Sequence, residues 1–507
     1  MRFPRSSGIL LHPTSLPGPH GIGDFGPEAY RFVDFVKSCG MHLWQVLPLN
    51  PTGYGDSPFQ CLSASAGNPL FISLDRLVQQ GILQQNDLKA APAFSGGQVE
   101  YESVIGFKFP VLEKAAARFL GAASTADRRR FEGFCQANAT WLDDFALFMA
   151  IKNSHGGASW AQWPTEQALL TSQVLTKLGN QLAREVEMIK YWQFEFFQQW
   201  HELRAYARAR DIRIIGDIPI YVAHDSADVW ANRELFCLDA AGNPLKIAGV
   251  PPDYFSATGQ CWGNPIYNWD LLKKTGYKWW IERFRAALRL YDIARIDHFR
   301  GFEAYWEIPG TETTAVNGQW VKGPGADLFR TLQAEFNELP IIAENLGVIT
   351  PEVEALRLLF GFPGMAILQF AFGNDPQAPG FQPHNYVREL VVYTGTHDND
   401  TVEGWWSSRG TDDSTRAPED VVKEHAYARS YLGATDEPMH QVLIRAVLGS
   451  VANTAVIPLQ DMLGLGREAR MNLPGTSRGN WRWRYEPGAL TSELASRIRG
   501  LVDLYDR

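Results

Sequence analysis

The alternation of short apolar runs with helical stretches constrains this fold more than any other feature of the sequence. Such runs, rich in Ile, Val and Leu, are typical of parallel strands covered on both faces. Eight runs are candidate strands: residues 7–12, 42–47, 212–217, 291–296, 339–343, 365–370, 390–397 and 453–459. Between the first two, residues 27–40 predict a helix, because Pro27 suits a first turn and Gly40 an end. Strand, helix and strand form a right-handed parallel unit, and eight strands predict a (β/α)8 TIM barrel of the α/β class.

The length of the chain fits one such barrel enlarged by insertions. We interpret all 507 residues as a single catalytic barrel. Residues from about 50 to 210 show mainly helical periodicity and predict a helical insertion subdomain. No Gly/Ser-rich linker marks the edges of this segment, so an independent domain is not expected. A second, loop-rich insertion is expected from about 218 to 290.

Composition and charge exclude several classes of partner. The net charge of −9 provides no general basic surface, so neither a nucleic-acid nor a membrane partner is expected. No apolar run reaches the length of about 20 residues needed to span a bilayer, and no signal peptide is visible. The five cysteines are scattered without a CxxC pair, which is typical of reduced thiols. These features predict a cytoplasmic protein, and the lack of a Gly-rich phosphate loop predicts no cofactor.

Three of the apolar runs are followed by an acidic residue. These residues are Asp297, Glu344 and Asp398. In a parallel barrel the carboxyl ends of the strands converge on one site. Two carboxylates there can act as nucleophile and acid/base while a third holds a sugar hydroxyl, an arrangement that suits cleavage and remaking of a glycosidic bond.

Each acid also has a simpler interpretation. Arg295 and Asp297 project to the same side of a strand, where the cation would keep a nucleophile ionised. The alternative is a buried structural ion pair. Glu344 follows an apolar strand, so partial desolvation should raise its pKa, as an acid/base requires. The alternative is a solvated loop residue or a helix cap.

The pair His397–Asp398 is compatible with sugar hydroxyls or with a metal phosphohydrolase. The second interpretation needs further ligands at metal spacing, whereas the 11 histidines are dispersed. Acidic residues near Asp217 could suggest a calcium site, but no oxygen-dense loop is visible. A helix cap by Asp225 or Ser226 is the expected role there. We therefore expect no required metal.

The motifs around the three acids resemble conserved blocks of the α-amylase superfamily, and the rest of the chain resembles its 4-α-glucanotransferase branch, called amylomaltase or disproportionating enzyme. The three motifs are RIDHFRG at 295–301, AENLG at 343–347 and GTHDND at 395–400. The other matching stretches are 11–18, 44–49, 53–58, 67–69, 216–222, 249–256, 259–265 and 472–481. The resemblance thus covers nearly the whole chain.

The resemblance implies a role for each acid. Asp297 would be the nucleophile, Glu344 the acid/base and Asp398 the transition-state stabiliser, with Arg295 and His397 assisting at the cleaved sugar. It also implies substrate-binding residues: Asp253, Tyr254, Phe255, Gln260 and Trp262 on the acceptor side, Tyr54 and Tyr101 in a second glucan groove, and Ser57, Asp375 and Asn472 elsewhere. Many members have Tyr where this chain has Phe59. The resemblance therefore implies ring stacking at this position but no hydrogen bond from a hydroxyl.

The segment 249–263 is interpreted as a lid over the active site. Gly249 and Gly259 would be hinges, and Tyr254 and Phe255 an apolar tip that excludes water and thereby favours transfer over hydrolysis. The alternative is a hydrophobic plug that anchors a loop to the core.

The sequence therefore predicts a retaining 4-α-glucanotransferase without cofactor. It would transfer α-1,4-glucan segments between malto-oligosaccharides or starch-like glucans, with glucose as an acceptor, through a covalent glycosyl-Asp297 intermediate. Retention requires the carboxyl groups of Asp297 and Glu344 to lie about 5–5.5 Å apart. The alternatives are an amylase-type α-1,4-glucan hydrolase and a glucan-binding protein without catalytic activity.

Overall fold

The computed structural model describes residues 3–169, 172–252, 258–410, 417–476 and 478–507, and for Tyr54 and residues 172–176 it describes the backbone alone. Within these residues the strands are β1 Ser6–Leu10, β2 Leu43–Gln45, β3 Arg213–Pro219, β4 Lys246–Val250, β5 Gln260–Pro265, β6 Ile293–Asp297, β7 Ala304–Pro309, β8 Gln319–Lys322, β9 Ile341–Ala343, β10 Gly364–Ile367, β11 Leu390–Tyr393 and β12 Thr454–Pro458. The helices are α1 Pro27–Ser38, α2 Leu74–Gln79, α3 Tyr101–Ala122, α4 Thr125–Ala137, α5 Ala139–Ser154, α6 Thr165–Ala168, α7 Ser172–Gln181, α8 Ala183–Arg208, α9 Ala227–Ala231, α10 Trp269–Lys274, α11 Lys278–Leu290, α12 Gly325–Phe336, α13 Pro351–Leu359, α14 Val402–Ser407, α15 Pro418–Leu432, α16 Met439–Gly449, α17 Leu459–Leu463 and α18 Ser492–Leu504.

Eight parallel strands form a barrel in the order β10-β11-β12-β1-β2-β3-β6-β9. The two end strands are joined where the Ala343 amide donates to the Pro363 carbonyl at 2.9 Å and the Met365 amide to Asn345 Oδ1 at 2.8 Å. All eight predicted runs supply these strands, so the barrel prediction is confirmed. Helix α1 is confirmed too, and Gly40 follows it with a φ of 73° that favours glycine.

Helices α3 to α8 lie between β2 and β3, where helical structure was predicted. The apolar face of α8 is buried, with Ile189, Phe196 and Trp200 in the main core. Trp200 Nε1 donates at 2.9 Å to the Leu290 carbonyl, at the end of α11 just before β6. The helical segment is thereby fixed to the strand that carries Arg295 and Asp297.

A second, four-stranded antiparallel sheet in the order β5-β4-β7-β8 was not predicted. In the described part of residues 218–290, where a loop-rich insertion was predicted, the chain forms β4, β5 and helices α9, α10 and α11. Gly249, interpreted as a hinge, lies inside β4, where a Cβ atom would come within 2.1 Å of the Gln260 carbonyl oxygen. Close approach of two backbones therefore accounts for this glycine.

In the described ranges, no helix combines the length and apolar character needed to cross a membrane. Cys39, Cys61, Cys135, Cys237 and Cys261 are all free thiols.

Candidate active site

Strand β6 positions Arg295 and Asp297 on one side, because successive side chains alternate along a strand. The Arg295 guanidinium is buried and contacts two carboxylates. Its Nη2 lies 2.9 Å from Asp297 Oδ1, and its Nη1 donates to Asp217 Oδ2 at 2.6 Å. Asp217 is fully buried, whereas the Asp297 side chain is 32% exposed and can be reached by a substrate. One arginine thus forms both a structural ion pair and a pair with the candidate nucleophile.

Asp217 was missed as a site residue by the sequence analysis. It lies on β3 directly opposite Arg295 in the β3–β6 register. Burial raises the pKa of the Asp217 carboxyl, and the adjacent guanidinium of Arg295 opposes that rise. The signal was present in the sequence, since Asp217 follows an apolar run in the same way as Asp297.

Glu344 lies immediately after β9, next to Asp297 on β6, because the β6–β9 register pairs Ile296 with Ala343. The carboxylate accepts two backbone hydrogen bonds, from the His298 amide to Oε2 at 2.7 Å and from the Leu346 amide to Oε1 at 2.8 Å. It is only 8% exposed. Glu344 is therefore buried and fixed by hydrogen bonds, and it is not a solvated loop residue.

Burial is the largest influence on the protonation of Glu344 and raises its pKa to about 7. The charge of Asp297 adds to this rise, while Arg295 and the two amide donors oppose it. His298 was not predicted by the sequence analysis. Its left-handed backbone, with φ 53° and ψ 49°, accompanies the amide hydrogen bond to Glu344.

Asp398 follows β11 and is 50% exposed, so it is much more open than Glu344. Asn472 Nδ2 donates to Asp398 Oδ1 at 2.6 Å, and Arg470 Nη2 donates to the backbone carbonyl of Asp398 at 2.8 Å. His397 Nε2 lies 3.4 Å from Asp398 Oδ2. Burial lowers the pKa of His397 and so favours its neutral form. The ring of Phe59 stacks on the His397 ring with centroids 4.9 Å apart.

The structure brings the three acids together at one end of the barrel, which we call the mouth. The charge of Asp297 acts on both Glu344 and His397, the residue that precedes Asp398. All three acids lie at the carboxyl ends of barrel strands, where the sites of such barrels are built. Buried and exposed carboxylates side by side can divide the tasks of proton transfer, nucleophilic attack and hydroxyl binding.

Two residues predicted on the acceptor side lie beside this mouth. Trp262 on β5 packs edge-on against the His298 ring, with centroids 4.9 Å apart. Its Nε1 donates to Gln260 Oε1 at 3.0 Å, and Gln260 is exposed. Ser57 Oγ accepts from the Phe59 amide at 3.3 Å and so belongs to the turn that carries the stacked Phe59 ring.

Among the described residues, Asp375 and Tyr101 make no direct contact with the three acids or with Arg295 and His397. Asp375 Oδ1 accepts from the Gln377 amide at 2.7 Å, a contact within its own loop. Tyr101 is buried, and its hydroxyl donates to the Trp481 carbonyl at 2.9 Å, so its ring presents no open face. Tyr54 begins a short 3-10 turn. The predicted lid residues Asp253, Tyr254 and Phe255 lie outside the described residues.

Among the side chains that the structure describes, no group of three or more His, Cys, Asp or Glu is arranged to hold a metal ion. Near Asp217, Ser226 Oγ accepts from the Val229 amide at 3.3 Å and caps helix α9. The cap expected from the sequence is therefore confirmed.

Comparison with known proteins gives a consistent result. A family model described as "4-alpha-glucanotransferase" matches residues 11–491. The 4-alpha-glucanotransferase of Synechocystis is 52% identical, with 99% of this chain and 98% of that protein covered. The 4-alpha-glucanotransferase of Thermus thermophilus is 50% identical, with 100% of both covered.

Solved structures show the same similarity. An amylomaltase from Streptococcus agalactiae in complex with acarbose is 40% identical, has a TM-score of 0.94 and covers 99% of both chains. An amylomaltase from Corynebacterium glutamicum, at 20% identity and a TM-score of 0.80, shares the fold over 98% of this chain and 75% of its own.

Proposed function

The chain belongs to the 4-alpha-glucanotransferase family, and from this premise we propose how its barrel mouth moves an α-1,4-glucan segment from donor to acceptor. The observation that carries the mechanism is the paired placement of Asp297 and Glu344. The first is held by a buried arginine and remains reachable, and the second is buried with a raised pKa. Such a difference between neighbouring carboxylates assigns one as nucleophile and the other as acid.

In the first step, Asp297 attacks the anomeric carbon of the donor. Arg295 engages Oδ1, so Oδ2 forms the new bond to carbon. The glycosidic C1–O4 bond breaks, and the protonated Glu344 gives its proton to the leaving oxygen. A pKa of about 7 leaves a large fraction of Glu344 protonated at neutral pH.

In the second step, the 4-hydroxyl of an acceptor glucan attacks the glycosyl-Asp297 ester. Glu344, now ionised, takes the proton of that hydroxyl, and the bond from C1 to Asp297 breaks. The two inversions retain the configuration at the anomeric carbon. The hydrogen bonds from the His298 and Leu346 amides stabilise the ionised form of Glu344 during this half of the cycle.

The Asp398 loop binds the sugar at the reacting centre. Asp398 is half-exposed and oriented by Asn472, so its carboxylate can accept hydrogen bonds from ring hydroxyls. Neutral His397 can add a further hydrogen bond. Hydroxyl contacts that strengthen as the ring distorts toward the oxocarbenium-like state lower the barrier.

Gln260 and Trp262 are proposed to bind the acceptor glucan. Trp262 contacts the His298 ring, and its indole offers an apolar surface for a sugar ring. Acceptors then include malto-oligosaccharides, starch-like glucans and glucose. An acceptor that fills this side also excludes water, which favours transfer over hydrolysis. The free thiols support a cytoplasmic location, where cysteines remain reduced.

Incubation with maltotriose tests this function directly. Transfer yields glucose and a ladder of longer malto-oligosaccharides, while the number of reducing ends stays constant. An amylase-type hydrolase instead gives a steady rise in reducing ends without a ladder. Chromatography of the products together with a reducing-end assay separates the two, and a rise in reducing ends that matches glucose release contradicts the proposal.

A further inference from the structure

A groove of about 280 Å³ lies beside the mouth and plays no part in the chemistry described above. We call it the Trp320 groove. Its lining includes Arg300, Glu303, Trp320, Lys322 and Val348.

The walls of the Trp320 groove continue the catalytic strands. Arg300 and Glu303 come shortly after Asp297 at the end of β6, and Val348 comes shortly after Glu344 at the end of β9. The Arg300 Nη1 donates to the Val348 carbonyl and joins these two walls. The third wall is β8, at the edge of the second sheet. The groove therefore opens at the same end of the barrel as the candidate active site.

Trp320 gives the groove a rigid aromatic surface. Its side chain is 41% exposed, an unusual state for an indole, yet it is held on two sides. The Arg300 guanidinium carbon lies 3.7 Å from the centre of the ring, and Trp306 packs at 68° with centroids 5.2 Å apart. An exposed ring fixed before binding loses little conformational entropy when a ligand stacks on it.

The charges of the groove favour an uncharged ligand. Lys322 forms an ion pair with Glu303, and Arg300 is buried with its Nη1 on a carbonyl. The cations that line the groove are therefore already partnered, which disfavours a phosphate or nucleic-acid ligand. Exposed apolar surface on Trp320 and Val348 suits the face of a pyranose ring, and the charged heads of Glu303 and Lys322 suit its hydroxyls.

We propose that the Trp320 groove binds a distal stretch of the same α-1,4-glucan chain whose reacting bond lies at Asp297 and Glu344. This inference rests on the proposed function, because it takes its ligand from that reaction. A long chain that fills the mouth extends into the groove and gains a second contact. Maltotriose, once bound across the reacting bond, has no glucose units left to reach it. The groove thus selects long substrates without acting in the chemical steps.

The test compares Trp320→Ala with the wild type on two substrates, amylose of about 20 units and maltotriose. Loss of one stacking contact should raise the KM for amylose about three- to tenfold, while kcat and KM for maltotriose stay unchanged. Trp320→Phe should restore most of the amylose affinity, since it keeps a ring. Leu358→Ala, which removes an exposed apolar side chain from α13 outside the groove, is the matched control and should change neither substrate.

Each other outcome has a defined meaning. Equal losses on both substrates would show that Trp320 acts through Arg300 on the catalytic loops, and they would overturn the inference, as would unchanged kinetics on both. Should Trp320→Ala fail to fold, Val348→Ala on the opposite wall must show the same selectivity with a smaller rise in KM. A wild-type enzyme that does not disproportionate maltotriose would instead refute the proposed function.

Discussion

The two sides of the barrel mouth hold their carboxylates in different ways. Glu344 is 8% exposed and is fixed by backbone amides, whereas Asp398 is 50% exposed and is held by the side chains of Asn472 and His397. A proton-transfer group needs burial to bring its pKa near neutrality. A group that binds sugar hydroxyls instead needs access to the substrate. From this difference we expect changes at Glu344 to lower kcat strongly. Changes to the residues that orient Asp398 should cause only a small loss of kcat/KM.

Asp297→Asn should have the largest effect, because an amide cannot form the glycosyl-enzyme bond. We expect transfer from maltotriose to fall by at least about 10⁴-fold, while maltotriose binding measured by calorimetry persists. Asp503→Asn, an exposed residue on α18, is the control and should retain full activity. Residual transfer above a tenth of the wild-type rate would exclude Asp297 as the nucleophile.

Glu344→Gln should lower kcat by about 10²- to 10⁴-fold, the usual contribution of a general acid/base. The pH profile provides a sharper test. Glu344 must enter the first step protonated, so wild-type activity should fall as pH rises through about 7. This fall is the basic limb of the pH profile, and the Glu344→Gln variant should lose it. Glu282→Gln, at an exposed position on α11, should keep the limb unchanged, and a limb that survives in Glu344→Gln would assign the acid elsewhere.

Asp217→Ala tests whether the buried carboxylate positions Arg295 against the nucleophile. Loss of the hydrogen bond that Arg295 Nη1 donates to Asp217 should misplace the guanidinium. We expect kcat to fall by about 10- to 100-fold, with little change in KM for maltotriose. Asp217→Asn should recover part of the loss, because its amide oxygen still accepts from Nη1. Equal losses in both variants would argue that the charge of Asp217 matters rather than its hydrogen bond.

Asn472→Ala should have the smallest effect of the four. It removes one hydrogen bond to a half-exposed carboxylate that water can replace, so kcat/KM for maltotriose should fall about two- to tenfold. The basic limb of the pH profile should stay in place. Steady-state kinetics across pH would check both points, and a loss as large as that of Glu344→Gln would remove the distinction between the two sides.

Much of the framework could be predicted because it depends on local patterns. Strands buried on both faces are mainly apolar, so β6, β9 and β11 are visible as apolar runs in the sequence. The position of Asp297 and Glu344 at strand ends follows from the same runs. The second sheet was missed because its strand β5 combines Gly263, Asn264 and the exposed Gln260, a pattern that resembles a loop.

The sequence by itself determined the barrel and the placement of Asp297, Glu344 and Asp398 at the ends of its strands. The apolar residues of each strand already indicate that the strand is buried. Only the tertiary structure decided that Glu344 is buried under two amides, that Asp217 shares Arg295 with Asp297, and that Asn472 reaches Asp398. These features depend on burial and on hydrogen-bond directions set by segments far apart in the chain, which no local pattern specifies.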